Sequence, residues 1–291
     1  MYDIIIVGAG PAGLTAALYA RRANKSVLLL ESKSYGGQII NAHLVENYPG
    51  VDSISGFDLA TNMYNQAIDK GAEIKYETVV NINKNLEVTT NKDTYKGKAI
   101  ILATGAQNRK LNLPNETEFI GKGVSYCATC DGNFYKGKDV AIVGGGNTAL
   151  EDALYLSDIA NKVYLVHRRD TFRGEDKYIE EINNRSNIEI LTNSVVESIN
   201  GTNLLESITL NDNRTINVSA LFVAVGQEPK NEIFKDVIEI DEKGYIETKD
   251  GVHTNVEHIY VAGDCRNKSL KQLTTAVSDG SIAATMAIKE M

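Results

Sequence analysis

Residues 3–13 read Asp-Ile-Ile-Ile-Val-Gly-Ala-Gly-Pro-Ala-Gly, and residues 139–149 read Asp-Val-Ala-Ile-Val-Gly-Gly-Gly-Asn-Thr-Ala. Each stretch runs from a short apolar segment into a cluster of glycines. A helix-like sequence follows in both places, Leu14 to Arg22 after the first and Leu150 to Ile159 after the second. A buried strand, a glycine turn and a helix in that order open a βαβ unit. The sequence therefore predicts two such units in one chain.

The similarity between the two stretches continues beyond their turns. The next apolar run ends in Glu31 in the first copy and in His167 in the second, each 23 positions after the first glycine of its turn. Short alternating segments with turn residues come next. Each copy then closes on a buried-type run that ends in a glycine, Ile100 to Gly105 and Leu221 to Gly226. A repeat of this length indicates two copies of one architecture.

The first glycine turn has the pattern of a dinucleotide site. In such a turn the first glycine permits the tight bend, the second lets backbone N–H groups approach a pyrophosphate, and the third lets helix and strand pack closely. Gly8, Gly10 and Gly13 occupy these places, after a strand and at the start of a helix. A plain turn without a ligand is the alternative, but an acid at the expected distance favours binding. Glu31 can accept hydrogen bonds from ribose hydroxyls, which suits FAD or NAD.

The second copy differs where the ribose is selected. His167, Arg168 and Arg169 stand in place of the carboxylate, and Arg173 follows four positions beyond. Guanidinium groups bind a 2′-phosphate through charge-assisted, often bidentate hydrogen bonds, whereas a carboxylate would repel it. A solvated charged turn is the usual alternative for a run of charges. The basic residues stand at the position that selects the ribose, however, and this favours NADPH for the second copy.

We expect an α/β fold of two Rossmann-like, three-layer FAD/NAD(P)-binding domains, the second inserted in the first. At about 150 residues per domain, 291 residues suggest two domains. The tail after residue 236 has no counterpart in the repeat and is too short for a domain, so it most simply rejoins the first. The expected ranges are 1–108 and 236–291 for a discontinuous FAD-binding domain and 109–235 for an NADPH-binding domain. Two linkers between domains can act as a hinge.

Composition excludes several classes of protein. The net charge is −8, from 30 Lys and Arg against 38 Asp and Glu, which argues against the basic face that nucleic-acid binding needs. No apolar run reaches the roughly 18 residues that cross a bilayer, and Met1 to Val7 shows neither a basic segment nor a small-residue cleavage site. We therefore expect a cytoplasmic protein that binds neither nucleic acid nor a membrane.

Two of the three cysteines lie in Cys127-Ala128-Thr129-Cys130-Asp131. This spacing is typical of a redox dithiol, because the two intervening residues form a turn that can bring the sulfurs within bonding distance. A zinc site would need further ligands, yet only Cys265 remains and no paired His motif supports one, so no metal is expected. An inert buried pair is the other alternative. Asp131 either exchanges a proton with a departing thiolate or caps the following turn. Cys265 is expected to be a packed thiol.

An electron path follows from these parts. A nicotinamide delivers two electrons as hydride, and a flavin can accept them and pass them to sulfur. The sequence therefore predicts transfer from NADPH through a flavin to Cys127 and Cys130. Because the dithiol and the nicotinamide site both belong to the inserted domain, we expect that domain to rotate over the two linkers so that they can alternate at one flavin.

The chain closely resembles the low-molecular-weight, bacterial-type thioredoxin reductases, class II of the pyridine nucleotide-disulfide oxidoreductases. The similarity covers nearly the whole length. It is carried by the two glycine turns, the cysteine segment and further motifs: Gly36-Gly37-Gln38, Glu46-Asn47-Tyr48-Pro49-Gly50, Ala103-Thr104-Gly105, His167-Arg168-Arg169-Asp170-Thr171-Phe172-Arg173 and Gly263-Asp264. Lys271 departs from the pattern, since the family usually has Arg there; the charge is kept but the planar fork is lost.

The resemblance implies a homodimeric FAD enzyme that uses NADPH to reduce thioredoxin. It implies that Cys130 faces the flavin, that Cys127 attacks the thioredoxin disulfide and that Asp131 handles the proton. The FAD-binding positions that it implies are Gly8, Gly10, Pro11, Ala12, Gly13, Glu31, Gly37, Gln38, Asn47, Gly105, Asp264, Lys271 and Gln272. The NADPH-binding positions are Gly144, Gly146, Asn147, Thr148, His167, Arg168, Arg169 and Arg173.

Three other functions remain open at the level of sequence. A flavin dithiol oxidase would pass electrons to oxygen, but it has little reason to keep Arg168, Arg169 and Arg173. A ferredoxin-dependent reductase would not need NADPH to reduce its flavin. A non-catalytic redox sensor would use the dithiol only as a switch.

Overall fold

The computed structural model describes residues 1–42 and 44–291 of the chain. The chain divides into two compact units, one formed by Met1–Gln107 together with Glu228–Met291 and the other by Asn108–Gln227. Both units combine parallel strands with helices, as the duplicated βαβ pattern predicted.

The strands and helices are numbered in chain order. The strands are β1 (Tyr2–Val7), β2 (Val27–Glu31), β3 (Glu73–Tyr76), β4 (Val79–Ile82), β5 (Glu87–Thr90), β6 (Thr94–Leu102), β7 (Ala106–Asn108), β8 (Val124–Ser125), β9 (Asp139–Gly144), β10 (Lys162–Val166), β11 (Ile188–Leu191), β12 (Val196–Gly201), β13 (Leu205–Leu210), β14 (Thr215–Asn217), β15 (Ala220–Ala224), β16 (Gln227–Pro229) and β17 (Ile259–Val261). The α-helices are α1 (Pro11–Arg22), α2 (Gly56–Asp69), α3 (Ala128–Asp131), α4 (Asn147–Ser157), α5 (Asp176–Asn183) and α6 (Leu273–Glu290).

The first unit is built on a sheet with β1 at its centre. The parallel strands run in the order β3, β2, β1, β6, with β17 also paired to β6. The first half of β6 pairs antiparallel with β5, and β5 pairs antiparallel with β4. These three strands form an antiparallel meander. β1 is buried on both faces, which its run of three isoleucines anticipates, because a parallel sheet is covered by other elements on both sides.

The second unit repeats this plan. Its parallel strands run in the order β11, β10, β9, β15, β8, and β12, β13 and β14 form a separate antiparallel meander. The strand that follows each glycine-turn helix, β2 or β10, therefore pairs with the strand that precedes it, β1 or β9. The two copies differ in the origin of the outer strand beyond β6 or β15. The tail supplies it as β17 in the first unit, whereas β8 precedes β9 in the second.

Each face of the first sheet has its own apolar cluster. Ile4 and Ile6 of β1 pack with α1 and α6, whereas Ile5 and Val7 face the opposite cluster, which includes Phe234. The alternation follows from the pleat, because successive side chains of a strand point to opposite faces. Helix α1 starts with Pro11 as its first residue, where the missing N–H costs no hydrogen bond.

The second boundary between the units differs from the one predicted. Residues 228–235 belong to the first unit, whereas the sequence placed them in the second. The cause is burial: Phe234 is fully buried in the cluster that contains Ile5. The Asn231 side chain is also fully buried, and its Nδ2 donates to the carbonyl oxygens of Gly244 at 2.9 Å and Cys265 at 2.8 Å. The two segments that connect the units pair as β7 and β16.

Of the helices within residues 1–42 and 44–291, none combines the length and the apolar character needed to cross a bilayer.

Candidate active site

Cys127 and Cys130 form a disulfide, with 5.3 Å between their Cα atoms. Cys127 lies at the N-cap position of the single-turn helix α3, and Cys130 lies within that turn. The prediction that the two intervening residues bring the sulfurs together is therefore confirmed. Cys265 is a free thiol, buried as expected, and its Sγ lies 3.3 Å from the Ala262 carbonyl oxygen.

Asp131 closes the dithiol turn. Its backbone N–H donates to the Cys127 carbonyl oxygen at 3.1 Å. Its Oδ2 accepts a hydrogen bond from the Ser125 hydroxyl at 2.6 Å, and the same hydroxyl accepts from the Cys127 N–H at 3.1 Å. The carboxylate is thus held beside the dithiol by a hydrogen bond from outside α3. Asp131 is also the N-cap residue of the following 3-10 turn, Gly132–Tyr135, but its side chain forms no capping hydrogen bond there with the described residues.

The first glycine turn combines two tight contacts with one open position. A Cβ on Gly8, which has φ of +106°, would lie 2.3 Å from the Ala103 carbonyl oxygen. A Cβ on Gly13 would lie 1.9 Å from the Gly8 carbonyl oxygen. Beside Gly10, however, the nearest atom would be the Gly37 Cα at 3.8 Å. The outer glycines therefore allow close backbone packing, and the middle one borders free space at the start of α1.

Other predicted residues surround this turn in the first unit. Glu31 Oε2 accepts a hydrogen bond from the Ala9 N–H at 2.9 Å, so the acid lies beside the glycines. Gln38 Nε2 donates to the Ala106 carbonyl oxygen, and Asn47 Nδ2 lies 3.4 Å from Gln272 Oε1. Pro11 and Ala12 form the start of α1, and Gly105 follows β6 with φ of +67°.

A buried group of charges holds the loop after β17. Asp279 of α6 accepts from the Gly263 N–H, from Arg266 Nε and from Lys268 Nζ, each at 3.0 Å. Burial opposes its ionisation, but the hydrogen bonds from Arg266 and Lys268 outweigh burial and lower the pKa of Asp279. Breaking such a buried pair typically costs several kcal/mol.

Asp264 lies next to this group and is not fully satisfied by it. Its Oδ1 is buried and accepts no hydrogen bond from the part of the chain that the structure describes, although the Lys268 ammonium is 3.3 Å away and forms an ion pair with it. Burial raises the pKa of Asp264, and Lys268 only partly offsets this. A buried acceptor without a donor is costly unless a ligand supplies one. Lys271 is half-buried, with its ammonium 4.0 Å from the centre of the Tyr245 ring.

The second glycine turn repeats the geometry of the first. A Cβ on Gly144 would lie 2.5 Å from the Ala224 carbonyl oxygen, and beside Gly146 there is no atom within 4 Å. Asn147 and Thr148 follow at the exposed N-terminus of α4. Asn147 Oδ1 accepts a hydrogen bond from the Glu175 N–H at 2.8 Å, which ties α4 to the segment after the basic cluster.

The basic cluster separates into one buried and three exposed residues. His167 is buried, stacks on Phe172 at 5.0 Å between ring centres, and lies so close to Gly145 that a Cβ there would be 2.1 Å from the ring. Arg168, Arg169 and Arg173 are exposed. Among the residues that the structure describes, none forms an ion pair or hydrogen bond with any of the three guanidinium groups. The structure therefore groups the three arginines on the surface and places His167 beneath the glycine turn.

Sequence reasoning missed two residues near the dithiol turn of the second unit and one residue of the first unit. Glu116 is buried, and it accepts hydrogen bonds from the Tyr126 hydroxyl at 2.7 Å and from the Leu111 N–H at 3.0 Å. Burial and this carboxylate raise the pKa of Tyr126, the residue before Cys127. Ser125 and Asp279 are the other two. A Ser two residues before a dithiol can be suspected from sequence, but Glu116 and Asp279 carry no such signal.

Within residues 1–42 and 44–291, no group of three or more His, Cys, Asp or Glu side chains could hold a metal ion.

Several known proteins match this chain over nearly its whole length. The family model for pyridine nucleotide-disulphide oxidoreductases matches residues 2–280. A thioredoxin reductase of Treponema pallidum is 44% identical, over 97% of this chain and 95% of that protein. A thioredoxin reductase of Bacillus subtilis is 42% identical, over 98% and 93%. The crystal structure of a thioredoxin reductase from Streptococcus pyogenes matches with a TM-score of 0.95 and 39% identity, covering 100% of this chain and 98% of that one.

The chain belongs to the pyridine nucleotide-disulphide oxidoreductase family and, within it, to the bacterial-type thioredoxin reductases. The two-unit fold, with its Rossmann-like sheets, is the one shared with these solved structures.

Proposed function

We propose that this chain is an NADPH-dependent thioredoxin reductase that holds FAD in its first unit and NADPH in its second. The observation that carries the proposal is the Cys127–Cys130 disulfide with the Asp131 carboxylate beside it, in the unit that also contains a nucleotide-type glycine turn. The net reaction oxidises NADPH to NADP⁺, takes up one proton and reduces one thioredoxin disulfide to two thiols.

The first unit fits FAD. Gly10 borders free space at the N-terminus of α1, where backbone N–H groups and the helix dipole favour a pyrophosphate. Glu31 lies beside the turn, where it would bind the adenosine ribose. The unsatisfied Asp264 Oδ1 would accept a hydrogen bond from a ligand hydroxyl. When bound, FAD supplies a carrier that accepts hydride from a nicotinamide and gives an electron pair to a disulfide.

The other FAD-binding positions belong to this proposal as well. Gly8 and Gly13 shape the turn, Pro11 and Ala12 begin α1, and Gly37 lies against Gly10. The remaining positions of the first unit are Gln38, Asn47, Gly105, Lys271 and Gln272.

The second unit fits NADPH. Gly144 and Gly146 shape the turn, and Asn147 and Thr148 present the N-terminus of α4. The guanidinium groups of Arg168, Arg169 and Arg173, which have no partner among the described residues, would bind the 2′-phosphate, because a charge-assisted pair satisfies both sides. His167 would act from beneath, by supporting Gly145 and the turn.

The dithiol would carry out the exchange with the protein substrate. The Cys127 thiolate attacks one sulfur of the thioredoxin disulfide, so that a mixed disulfide forms and a thioredoxin thiolate leaves. Asp131 gives that thiolate the proton that it took from the Cys127 thiol. Cys130 then passes its own thiol proton to Asp131 and attacks Cys127, which restores the Cys127–Cys130 disulfide and releases the second thioredoxin sulfur as a thiolate that takes up this proton.

The assembly and location of the chain are part of the proposal. We infer a homodimer from the family resemblance, and sedimentation of the purified protein checks it. A cytoplasmic location suits a dithiol that must be re-reduced at every cycle, because disulfides are kept reduced in that compartment.

Anaerobic titration of the purified protein tests the proposal. We expect NADPH to bleach the flavin absorbance, NADH to do so far less effectively, and oxidised thioredoxin to restore the colour. Cys127→Ser and Cys130→Ser should each abolish thioredoxin turnover, with Cys265→Ala as the control that keeps it. A protein that cannot take up flavin, or a cysteine variant that keeps full turnover, would contradict the proposal.

The same titration separates the alternatives, which the comparisons do not favour. A ferredoxin-dependent enzyme would not be bleached by NADPH. A dithiol oxidase would be bleached by a small-molecule dithiol, which it oxidises to a disulfide, and would regain its colour with oxygen rather than with thioredoxin. A redox sensor would show no steady NADPH consumption.

A further inference from the structure

The Ser125 hydroxyl touches both ends of the dithiol segment. Ser125 ends β8, where it pairs with Phe222 of β15, and it is 4% exposed. Its Oγ lies 3.1 Å from the Cys127 N–H nitrogen, 2.6 Å from Asp131 Oδ2 and 3.3 Å from the Cys127 carbonyl oxygen. A single side chain from the sheet therefore reaches the first cysteine and the acid that follows the second.

The distances define how this hydroxyl bonds. A serine hydroxyl has one proton to donate and two lone pairs to accept. The Cys127 N–H can only donate, so Oγ accepts there. The hydroxyl proton then goes to Asp131 Oδ2, because 2.6 Å is in the range of a charge-assisted O–H···O⁻ bond and the carbonyl oxygen is farther away.

The arrangement also suits the protonated form of Asp131. If the carboxyl carries a proton, it can donate to the second lone pair of Ser125 Oγ. The hydroxyl proton can then turn to the Cys127 carbonyl oxygen, which is already 3.3 Å away. Ser125 thus keeps partners in both protonation states of the acid, without any movement of the backbone.

We propose that Ser125 is a positioning residue for proton transfer at the dithiol, holding the Asp131 carboxylate towards the sulfurs and stabilising its charged form. The inference deepens the proposed function and rests on it, because Asp131 is given there the role of proton donor. Ser125 itself does not exchange a proton with sulfur. The hydroxyl favours release of the proton from Asp131, since a hydrogen bond donated to a carboxylate favours its ionised form.

Single-turnover exchange tests this without any need for bound flavin. The full-length protein is reduced with dithiothreitol, freed of excess reductant and mixed with hydroxyethyl disulfide, whose thiolate product is basic and needs a proton. The rate of Cys127–Cys130 oxidation is followed from pH 5 to 9. For Ser125→Ala we expect the oxidation rate at pH 7 to be about ten-fold lower. We also expect the midpoint of the pH–rate profile to lie about one pH unit higher. Ser125→Thr, which keeps the hydroxyl, should retain the wild-type midpoint.

A buried serine elsewhere in the unit gives the matched control. Ser157 of α4 is 7% exposed, and its hydroxyl donates to the Leu154 carbonyl oxygen at 2.7 Å. Ser157→Ala should leave the rate and the midpoint unchanged. If Ser125→Ala behaves like Ser157→Ala, Ser125 has no positioning role and the inference is wrong.

A double-mutant cycle distinguishes positioning of Asp131 from support of the Cys127 backbone. In an Asp131→Asn background, Ser125→Ala should lower the oxidation rate further by less than two-fold, because the acid on which the hydroxyl acts is already gone. A full ten-fold further loss in that background would overturn the inference. Failure of the wild-type protein to reduce thioredoxin would refute the proposed function instead, and the cycle with hydroxyethyl disulfide would still report on Ser125. If Ser125→Ala is too unstable to measure, the Thr variant decides, and a shifted midpoint there counts against the proposal.

Discussion

Three arginines on the surface of the second unit carry the proposed preference for NADPH. Their guanidinium groups have no protein partners among the described residues, so binding a phosphate would not break an existing ion pair. A hydrogen bond to a charged group typically contributes about 1.5–3 kcal/mol. We expect Arg169→Ala to raise the KM for NADPH about 10- to 100-fold and to leave that for NADH unchanged, as steady-state kinetics with both nucleotides will show.

Arg214 provides the control for this change. It is also an exposed arginine of the second unit, but it is already paired with Asp212 at 2.6 Å. Arg214→Ala should leave both KM values unchanged. Equal losses for NADPH and NADH in Arg169→Ala would contradict the assignment, since only NADPH carries the 2′-phosphate.

His167 shows what a sequence can and cannot predict for a single residue. Its place in the repeat was correct, because it directly follows β10, while Glu31 is the last residue of β2. The sequence grouped it with the arginines as an NADPH-binding position. The ring is instead buried against Gly145, and this depends on a contact between segments more than 20 residues apart. The neighbouring charges give no sign of such a contact.

At the level of elements, the glycines of the first turn have two different roles, one in packing the fold and one in leaving space for a ligand. A Cβ on Gly13 would strike the Gly8 carbonyl oxygen at 1.9 Å, whereas a Cβ on Gly10 has no closer neighbour than 3.8 Å. We expect Gly13→Ala to lower stability by about 1–3 kcal/mol. Gly10→Ala should fold normally but bind less flavin, because its methyl group enters the open space. Thermal unfolding and the ratio of flavin to protein absorbance measure the two effects. Full flavin content in Gly10→Ala would show that this space is not the binding site.

Helix α4 contains a carboxyl group that folding disfavours at neutral pH. Burial, aided by the neighbouring charge of Glu151, raises the pKa of Asp152 to about 7. The unfolded chain ionises near pH 4, so ionisation favours unfolding increasingly between about pH 4 and 7 and equally above that. Asp152→Asn removes this penalty. It should therefore stabilise the protein above pH 7 by up to a few kcal/mol and progressively less towards pH 4.

Urea unfolding at pH 4.5, 6 and 8 measures this difference. Asp158→Asn is the control, because Asp158 is an exposed acid just after the same helix that pairs with Arg185, so its replacement should not stabilise the protein. An Asp152→Asn variant whose stability relative to wild type is independent of pH would show that Asp152 ionises normally.

For the whole molecule, we expect the second unit to fold on its own, apart from the first unit, which is called the host below. Residues 108–227 are continuous and have their own apolar clusters on both sides of the β9 sheet. We expect this fragment to unfold cooperatively by circular dichroism and to bind NADPH by calorimetry. The host should fold when Gln107 is joined to Glu228 by a short linker, because β7 and β16 are paired there. A fragment that is unfolded, or that binds no nucleotide, would contradict this.

Most of this architecture could be predicted from the sequence because the same βαβ pattern occurs in it twice. The glycine turns, the strand before each and the charged residue after each helix depend on local chemistry, and they predicted both sheets. The boundary at residue 228 was missed because Asn231 is polar and yet fully buried, satisfied by Gly244 and Cys265 from the tail. Ser125 and Glu116 were missed for the same reason: each works through hydrogen bonds that no periodic pattern encodes.

The separate origins of β8 and β17 bear on how the chain is made. Every strand of the inserted sheet has been synthesised by residue 224, whereas the host still lacks β17 and α6. Because α6 packs against α1, the apolar face of α1 is not covered until α6 has been synthesised. At about 5–20 residues per second, synthesis from residue 224 to the end of α6 at Glu290 takes roughly 3–13 seconds. The inserted unit can thus fold first, while the apolar surface of the first unit stays uncovered until α6 has been synthesised.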